Sequence, residues 1–328
     1  MRGNDKVSMW LTIAIGAYLI NAGVYVADKF LLSKKIHSSI TYAFYVGIWS
    51  IFNLCLLVFD FWLPIWQELI LDLSAGALFV ATLVFWYKAL HQSEATRVVP
   101  IVGALVPIFS LTLSFFFLGE NLSQRQLLAF AVLICGGVLI SIKYTRFYSA
   151  KRVIAKMRYI SGLILGEVHA KSRPTWRLIT NSLISAFFFA AYYVLIKYIY
   201  LNQPFIGSFV WSRVGSFLGV LLFLFIPVWR ERIVHHQKGV KTPKNMFFFL
   251  SVRLLAALAF IMLNWAISLG SVAMVNALQG VQYLFLFLII LVISTKFPRV
   301  LKEEIGGGVI LQKIIGILFV GLGLYMLI

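Results

Sequence analysis

The residues in this chain with chemistry to offer are cations set among apolar runs. Arg213 and Arg253 each fall several residues inside a hydrophobic stretch, and Lys29 and Lys197 stand near the ends of two others. A central Arg or Lys costs roughly 2.5–3.5 kcal/mol on membrane-insertion scales, so such groups belong in a water-filled or protein-lined interior. Uncharged polar residues accompany them at helical spacing. Asn21, Tyr25 and Lys29 recur every fourth position, and Ser185, Tyr193 and Lys197 lie on a comparable stripe. Asn276, Gln279 and Tyr283 follow i, i+3, i+7, with Gln282 beside them, and Asn264 ends another apolar run. The candidate solute contacts are therefore Tyr25, Lys29, Tyr193, Lys197, Arg213, Arg253, Asn264, Gln279 and Gln282. Embedded bases without embedded acids favour an anionic or carboxylate-bearing solute and disfavour a lipophilic cation. The competing reading of the lysines and arginines is snorkelling to the headgroups. For the Asn276 stripe it is hydrogen bonding between helices.

Catalytic constellations are missing from the sequence. It has no H-E-x-x-H, G-x-S-x-G or P-loop pattern and no paired carboxylates within an apolar run. The expectation is a protein that is not an enzyme and needs no cofactor. His235 and His236 are adjacent but lack acidic or cysteine companions, which makes a poor metal site. Cys55 and Cys135 sit inside apolar runs and offer no disulfide framework.

The elements that must position these residues are membrane helices. The chain has 328 residues, 61% hydrophobic and 12% charged, with a mean hydropathy of +0.93. That composition marks a polytopic membrane protein. The net charge of +18 raises nucleic acid as a partner. The basic residues lie in short segments between apolar runs, however, where anionic lipid headgroups are the expected partner and nucleic acid is not. Hydropathy gives ten spans, at about 8–27, 39–59, 72–90, 97–118, 126–142, 178–199, 206–228, 247–267, 272–294 and 310–328. The fourth carries Pro100 and Pro107, which a membrane helix packed among neighbours tolerates.

The chain also repeats itself. Tyr87–Gly103 matches Asn264–Gly280 in register, pairing Ala89 with Ala266, Val98 with Val275 and Gly103 with Gly280. Asn21–Phe30 lies on Phe189–Tyr198, pairing Ala22 with Ala190, Tyr25 with Tyr193 and Lys29 with Lys197. Further on, Gly47 pairs with Gly215, Gln126 with Gln312 and Gly137 with Gly323; the offset changes only in loops. Five spans per copy is odd, so the second copy enters the membrane from the opposite side. The fold expected is all-α, with ten transmembrane helices as two inverted five-helix repeats. Residues 1–145 form the first, 146–176 a basic, partly amphipathic linker, and 177–328 the second. Lys and Arg accumulate in the loops after odd-numbered spans, which places those loops in the cytoplasm and both termini outside. Within the linker, Val153, Met157, Ile160 and Ile164 keep helical spacing while Lys151, Arg152, Lys156 and Arg158 interleave. This fits a basic helix lying on an anionic leaflet.

The segment Ala89–Ile140 resembles the drug/metabolite transporter superfamily, specifically its EamA-type ten-helix members. The carrying residues are Ser93–Thr96 before a helix, Pro107 within it, then Gly119–Glu120, Gln126 and Gly137. The second copy departs from the pattern: Lys302, Glu303 and Glu304 stand where Gly119–Glu120 would, and Leu284 stands where Pro107 would. The resemblance implies a ten-helix inverted-repeat carrier with a central pocket open alternately to each side. Its expected partner is a small-molecule solute. It would act as a secondary transporter exporting a small metabolite, an amino acid or organic anion, as monomer or homodimer in a bacterial or archaeal cell membrane. A flippase for lipid-linked sugar or anionic lipid, and a non-transporting membrane scaffold, are the alternatives. The linker reading has a direct test. Deleting Lys151–Arg158 is expected to change orientation or membrane abundance, read by protease protection and immunoblot, while solute preference stays the same.

Overall fold

The computed structural model describes residues 3–34, 39–92, 95–141, 176–235, 243–296 and 307–327. The amphipathic segment 151–165, His236, Glu94 and Lys302–Glu304 lie outside the described residues. Every described element is helical, and the protein is an all-α polytopic membrane protein.

The first half is α1 (Gly3–Lys34), α2 (Ser39–Trp49), α3 (Trp66–Gln92), α4 (Ala95–Leu118) and α5 (Gln124–Ser141). The second is α6 (Trp176–Asn202), α7 (Phe205–Leu221), a short α8 (Pro227–His235), α9 (Pro243–Leu269), α10 (Val272–Ala277), α11 (Gln279–Lys296) and α12 (Gly307–Leu327). Tight 3-10 turns continue α2 through Ser50–Val58 and α7 through Leu222–Phe225. Nine stretches among the described residues are long and apolar enough to cross a membrane, and α12 adds the shorter apolar stretch Leu311–Leu327. Ten crossings result when α10 and α11 are taken as one broken helix.

Three sequence expectations change. The third span starts at Trp66, not near residue 72, so Asp72 belongs to a membrane helix rather than a loop. The seventh ends earlier, because Pro227 opens the separate helix α8. The ninth is interrupted at Leu278, so Asn276 and Gln279 do not share one continuous helical face. The two prolines of α4, by contrast, leave Ala95–Leu118 continuous.

Packing follows the duplication. α1 lies against α9 and α11, as α6 lies against α3 and α4, while α5 and α12 pair with each other. Matched residues share an environment: Ala22 and Ala190, Ala89 and Ala266, and Val98 and Val275 are all fully buried. Small residues dominate these interfaces because lipid gives no hydrophobic drive between helices, and close backbone contact supplies the attraction. Large apolar side chains such as Phe116, Phe117, Phe225 and Phe247 point outward, where lipid solvates them.

The closest seam joins α3 to α7. A Cβ on Gly76 would strike the backbone of Ser212 and Ser216, and one on Gly215 would strike that of Leu73. Ser216 Oγ donates to the Gly76 carbonyl at 3.2 Å. By the repeat, α9 and α2 are the counterparts of α3 and α7, yet among the described residues they form no comparable seam. We call the face holding the start of α1 and the end of α12 the terminal face, and the other the basic face. Gly76→Ala is expected to destabilise by about 1–3 kcal/mol, because two backbones must separate. Gly23, with nothing within 4 Å of its Cβ position, is the control. Thermal unfolding in detergent, read by size-exclusion chromatography, should lower the midpoint for Gly76→Ala and not for Gly23→Ala.

Candidate functional site

The embedded cations divide into three settings. Arg213 occupies the interior of the terminal-face half. It lies eight residues beyond Phe205, roughly 12 Å along α7 at 1.5 Å per residue. Its guanidinium carbon sits 4.5 Å from the ring centre of Phe79 and 4.7 Å from that of Phe260. Tyr192 and Phe209 stand at 5.6 Å each. Its Nη2 donates to Tyr192 Oη at 2.9 Å. The residue is 3% exposed, so the box of rings takes the place of hydration, each desolvated contact being worth about 2 kcal/mol. The network continues through Tyr192 Oη, 3.4 Å from Asn264 Oδ1, and Tyr200 Oη, which donates to that same oxygen at 3.1 Å. Asn264 Nδ2 donates to the Phe260 carbonyl at 2.8 Å. Helices α3, α6, α7 and α9, from both halves, are joined by this one cluster.

Arg253 belongs to a second cluster, nearer the basic face. Its guanidinium lies 5.5 Å from the Tyr42 ring and 5.4 Å from that of Phe249. Tyr42 meets Tyr87 edge-on at 4.9 Å. The Tyr25 hydroxyl is within electrostatic reach of both Tyr87 and Tyr283. Five helices converge here: α1, α2 and α3 from the first half, α9 and α11 from the second. The hydroxyls of Tyr25 and Tyr42 are buried without a hydrogen-bond partner. Such groups cost about 1–3 kcal/mol each until something polar meets them. Arg253 reaches Tyr42 from α9, although α2 and α9 share no close backbone seam among the described residues.

Lys197 does something else. Its ammonium donates to the carbonyls of Ile267 (2.9 Å), Ser268 (3.0 Å) and Gly270 (2.9 Å). Those are the open carbonyls at the end of α9, where a cation is favoured. It borders a terminal-face cleft of about 360 Å³ that includes Trp10, Glu120, Gln126 and Ser271. Gly119 takes a positive φ of 64°, and the Glu120 N–H returns to the Ser114 carbonyl at 3.2 Å. That turn aims Glu120 at the second half, where its Oε2 accepts from Ser271 Oγ at 3.0 Å. Gln126 closes α5 in a reciprocal capping box with Ser123.

Of the nine sequence candidates, Arg213 and Asn264 share the first cluster, with Tyr193 tilted against Tyr192 at 5.3 Å. Tyr25 and Arg253 share the second. Gln282 is buried in α11 and Gln279 partly buried at its start. Lys29 lies in α1, and its side chain is outside the described residues. Asn276 turns to α4, where its Nδ2 donates to Ser110 Oγ at 2.9 Å. The aromatic walls Phe79, Tyr42, Tyr87 and Phe260 escaped the sequence reading because single aromatics in apolar runs carry no spacing signal.

Arg213→Ala should empty the ring box and leave Tyr192 Oη without its donor. The expected cost is about 1–3 kcal/mol for the unmet buried hydroxyl, read as a fall in folded, monodisperse protein. Arg253→Ala should leave folding near normal.

No curated protein matches the chain in sequence. A solved crystal structure superposes with a TM-score of 0.64, covering 97% of this chain and 98% of its own, at 14% identity. That likeness shows the fold. Residues 8–142, the first five-helix half, match the profile of the EamA-like transporter family, in keeping with the drug/metabolite transporter superfamily, and a match to that family implies a membrane transporter.

Proposed function

We propose that the protein is a secondary carrier that exports a small carboxylate-bearing metabolite, an amino acid or organic anion, by alternating access. One observation carries the reading: the Arg253 guanidinium lies over the Tyr42 ring, at the edge of a tyrosine group in which the Tyr25 and Tyr42 hydroxyls are buried without partners. A carboxylate would take the guanidinium as a charge-assisted pair, the Tyr25 and Tyr42 hydroxyls would meet its remaining polar atoms, and the rings of Tyr42, Tyr87 and Phe249 would line its apolar part.

The packing asymmetry supplies the cycle. With α3 and α7 interlocked, the terminal face is closed; with α2 and α9 apart, the second cluster faces the basic side. The excess of Lys and Arg makes that side cytoplasmic, so this conformation loads from the cell interior. Exchanging the two seams would present the solute to the outside, as two inverted halves permit.

Untargeted metabolite profiling of cells with and without the gene identifies solutes. Counterflow in proteoliposomes then tests each hit. Arg253→Ala is expected to weaken transport of an anionic solute by about ten- to hundredfold, with insertion unchanged. Transport at the parent level in Arg253→Ala would remove the residue from the site.

A further inference from the structure

Asp72 is an acid in a place the carrier reading does not use. It lies in α3 six residues after Trp66, inside a membrane span, and is 0% exposed. Its hydrogen-bond partner among the described residues is Gln203, in the turn between α6 and α7. The amide end of Gln203 lies 2.9 Å from Oδ1 and 3.2 Å from Oδ2, where its nitrogen would serve a carboxylate and its carbonyl oxygen a carboxylic O–H. The neighbouring charges do not neutralise it. Glu68, four residues earlier in α3, adds a second negative charge. From α6, Tyr200 feels both Asp72 and Arg213. The single charged residue of α7 is Arg213, whose guanidinium is held by Tyr192 and the ring box. Helix α2 has no charged residue, and its titratable groups are Tyr42 and Tyr45.

Asp72 is also next to the seam. The following residue, Leu73, presents its backbone to Gly215, and Gly76 meets Ser212 one turn on. The carboxyl is dry because α3 and α7 are interlocked. Opening the seam would admit water from the terminal face, where the carboxylate is solvated. The two seam states therefore differ in how well they hold the charge on Asp72. An amide suits both forms. Its NH2 donates to a carboxylate, and after a half-turn its carbonyl accepts from a carboxylic O–H. A lysine or arginine in place of Gln203 would serve only the charged form.

We propose that Asp72 is a proton-binding site that latches the terminal-face seam. In the closed seam the carboxylic O–H donates to the Gln203 carbonyl. On opening, the O–H bond breaks, its proton goes to water at the terminal face, and the carboxylate accepts from the Gln203 amide. Closing reverses the step. The use of this latch in a transport cycle rests on the carrier reading; the site itself does not.

The test needs no solute, so its failure is distinct from a failure of transport. The full chain, with Cys55 and Cys135 replaced by Ser, is reconstituted in nanodiscs and spin-labelled at exposed Trp66 and Leu201, at the terminal ends of α3 and α6 beside the seam. The expected result is a longer distance between labels as pH rises. Infrared difference spectra should lose a protonated-carboxyl band over the same range. Asp72→Asn should hold the short distance at every pH and lack the band, and Asp72→Glu should respond with a displaced midpoint. The proposal is overturned if the parent distance is independent of pH, or if Asp72→Asn lengthens as the parent does. Where Asp72→Asn gives too little folded protein, Gln203→Ala serves. It should shift both band frequency and midpoint, and a variant that moves neither overturns the proposal equally.

Discussion

A guanidinium inside a bilayer must be given its partners by the protein, because lipid supplies none. Arg213 shows what that demand does to the fold. Its hydrogen bond comes from α6, and its ring contacts come from α3, α6, α7 and α9. Each ring must stay within a few ångströms of the cation, so four helices from two halves are fixed relative to one another. Asn264 then takes up the hydroxyls of Tyr192 and Tyr200, and its own amide is spent on the Phe260 carbonyl. The rings and Tyr192 supply most of the contacts of Arg213, while its Nε is buried without a hydrogen-bond partner.

Arg253 carries the same charge in a different setting. It is partly exposed and lies against two rings rather than four, those of Tyr42 and Phe249. The distinction rests on setting: four rings and the Tyr192 hydroxyl enclose a buried Arg213, whereas two rings flank a partly exposed Arg253. Lys197 differs from both, with its ammonium engaged by three carbonyls at the end of α9.

Much of this was legible in the sequence. Helix number and the repeat rest on hydropathy and on matched residues, both of which survive as whole-helix properties. Ala22 with Ala190 and Val98 with Val275 matched in type and proved matched in burial. Two features were hidden. A hydropathy average falls at any acid, so Asp72 was read as the edge of a span, although α3 begins at Trp66. Periodicity assumes an unbroken helix, so the turn at Leu278 divided a stripe that looked continuous and sent Asn276 to Ser110. The roles of the cations were hidden for a related reason. Arg213, Arg253 and Lys197 look alike along a chain, and only their neighbours in space separate a four-ring box, a two-ring contact and a helix cap.

The two seams explain why the repeat is inexact. If both halves packed identically, α2 would lock to α9 as α7 locks to α3, and the interior would be sealed from both faces. Gly76 and Gly215 bring one pair of backbones into contact, while the other pair is bridged by the long side chain of Arg253. A seam of small residues closes without a ligand. A seam spanned by a cation and tyrosines closes best around something that occupies the gap. The asymmetry thus assigns the two faces different conditions for closing. On the terminal face Gly76 packs directly on Ser212 and Ser216; on the other, a side chain rather than backbone contact joins α9 to α2.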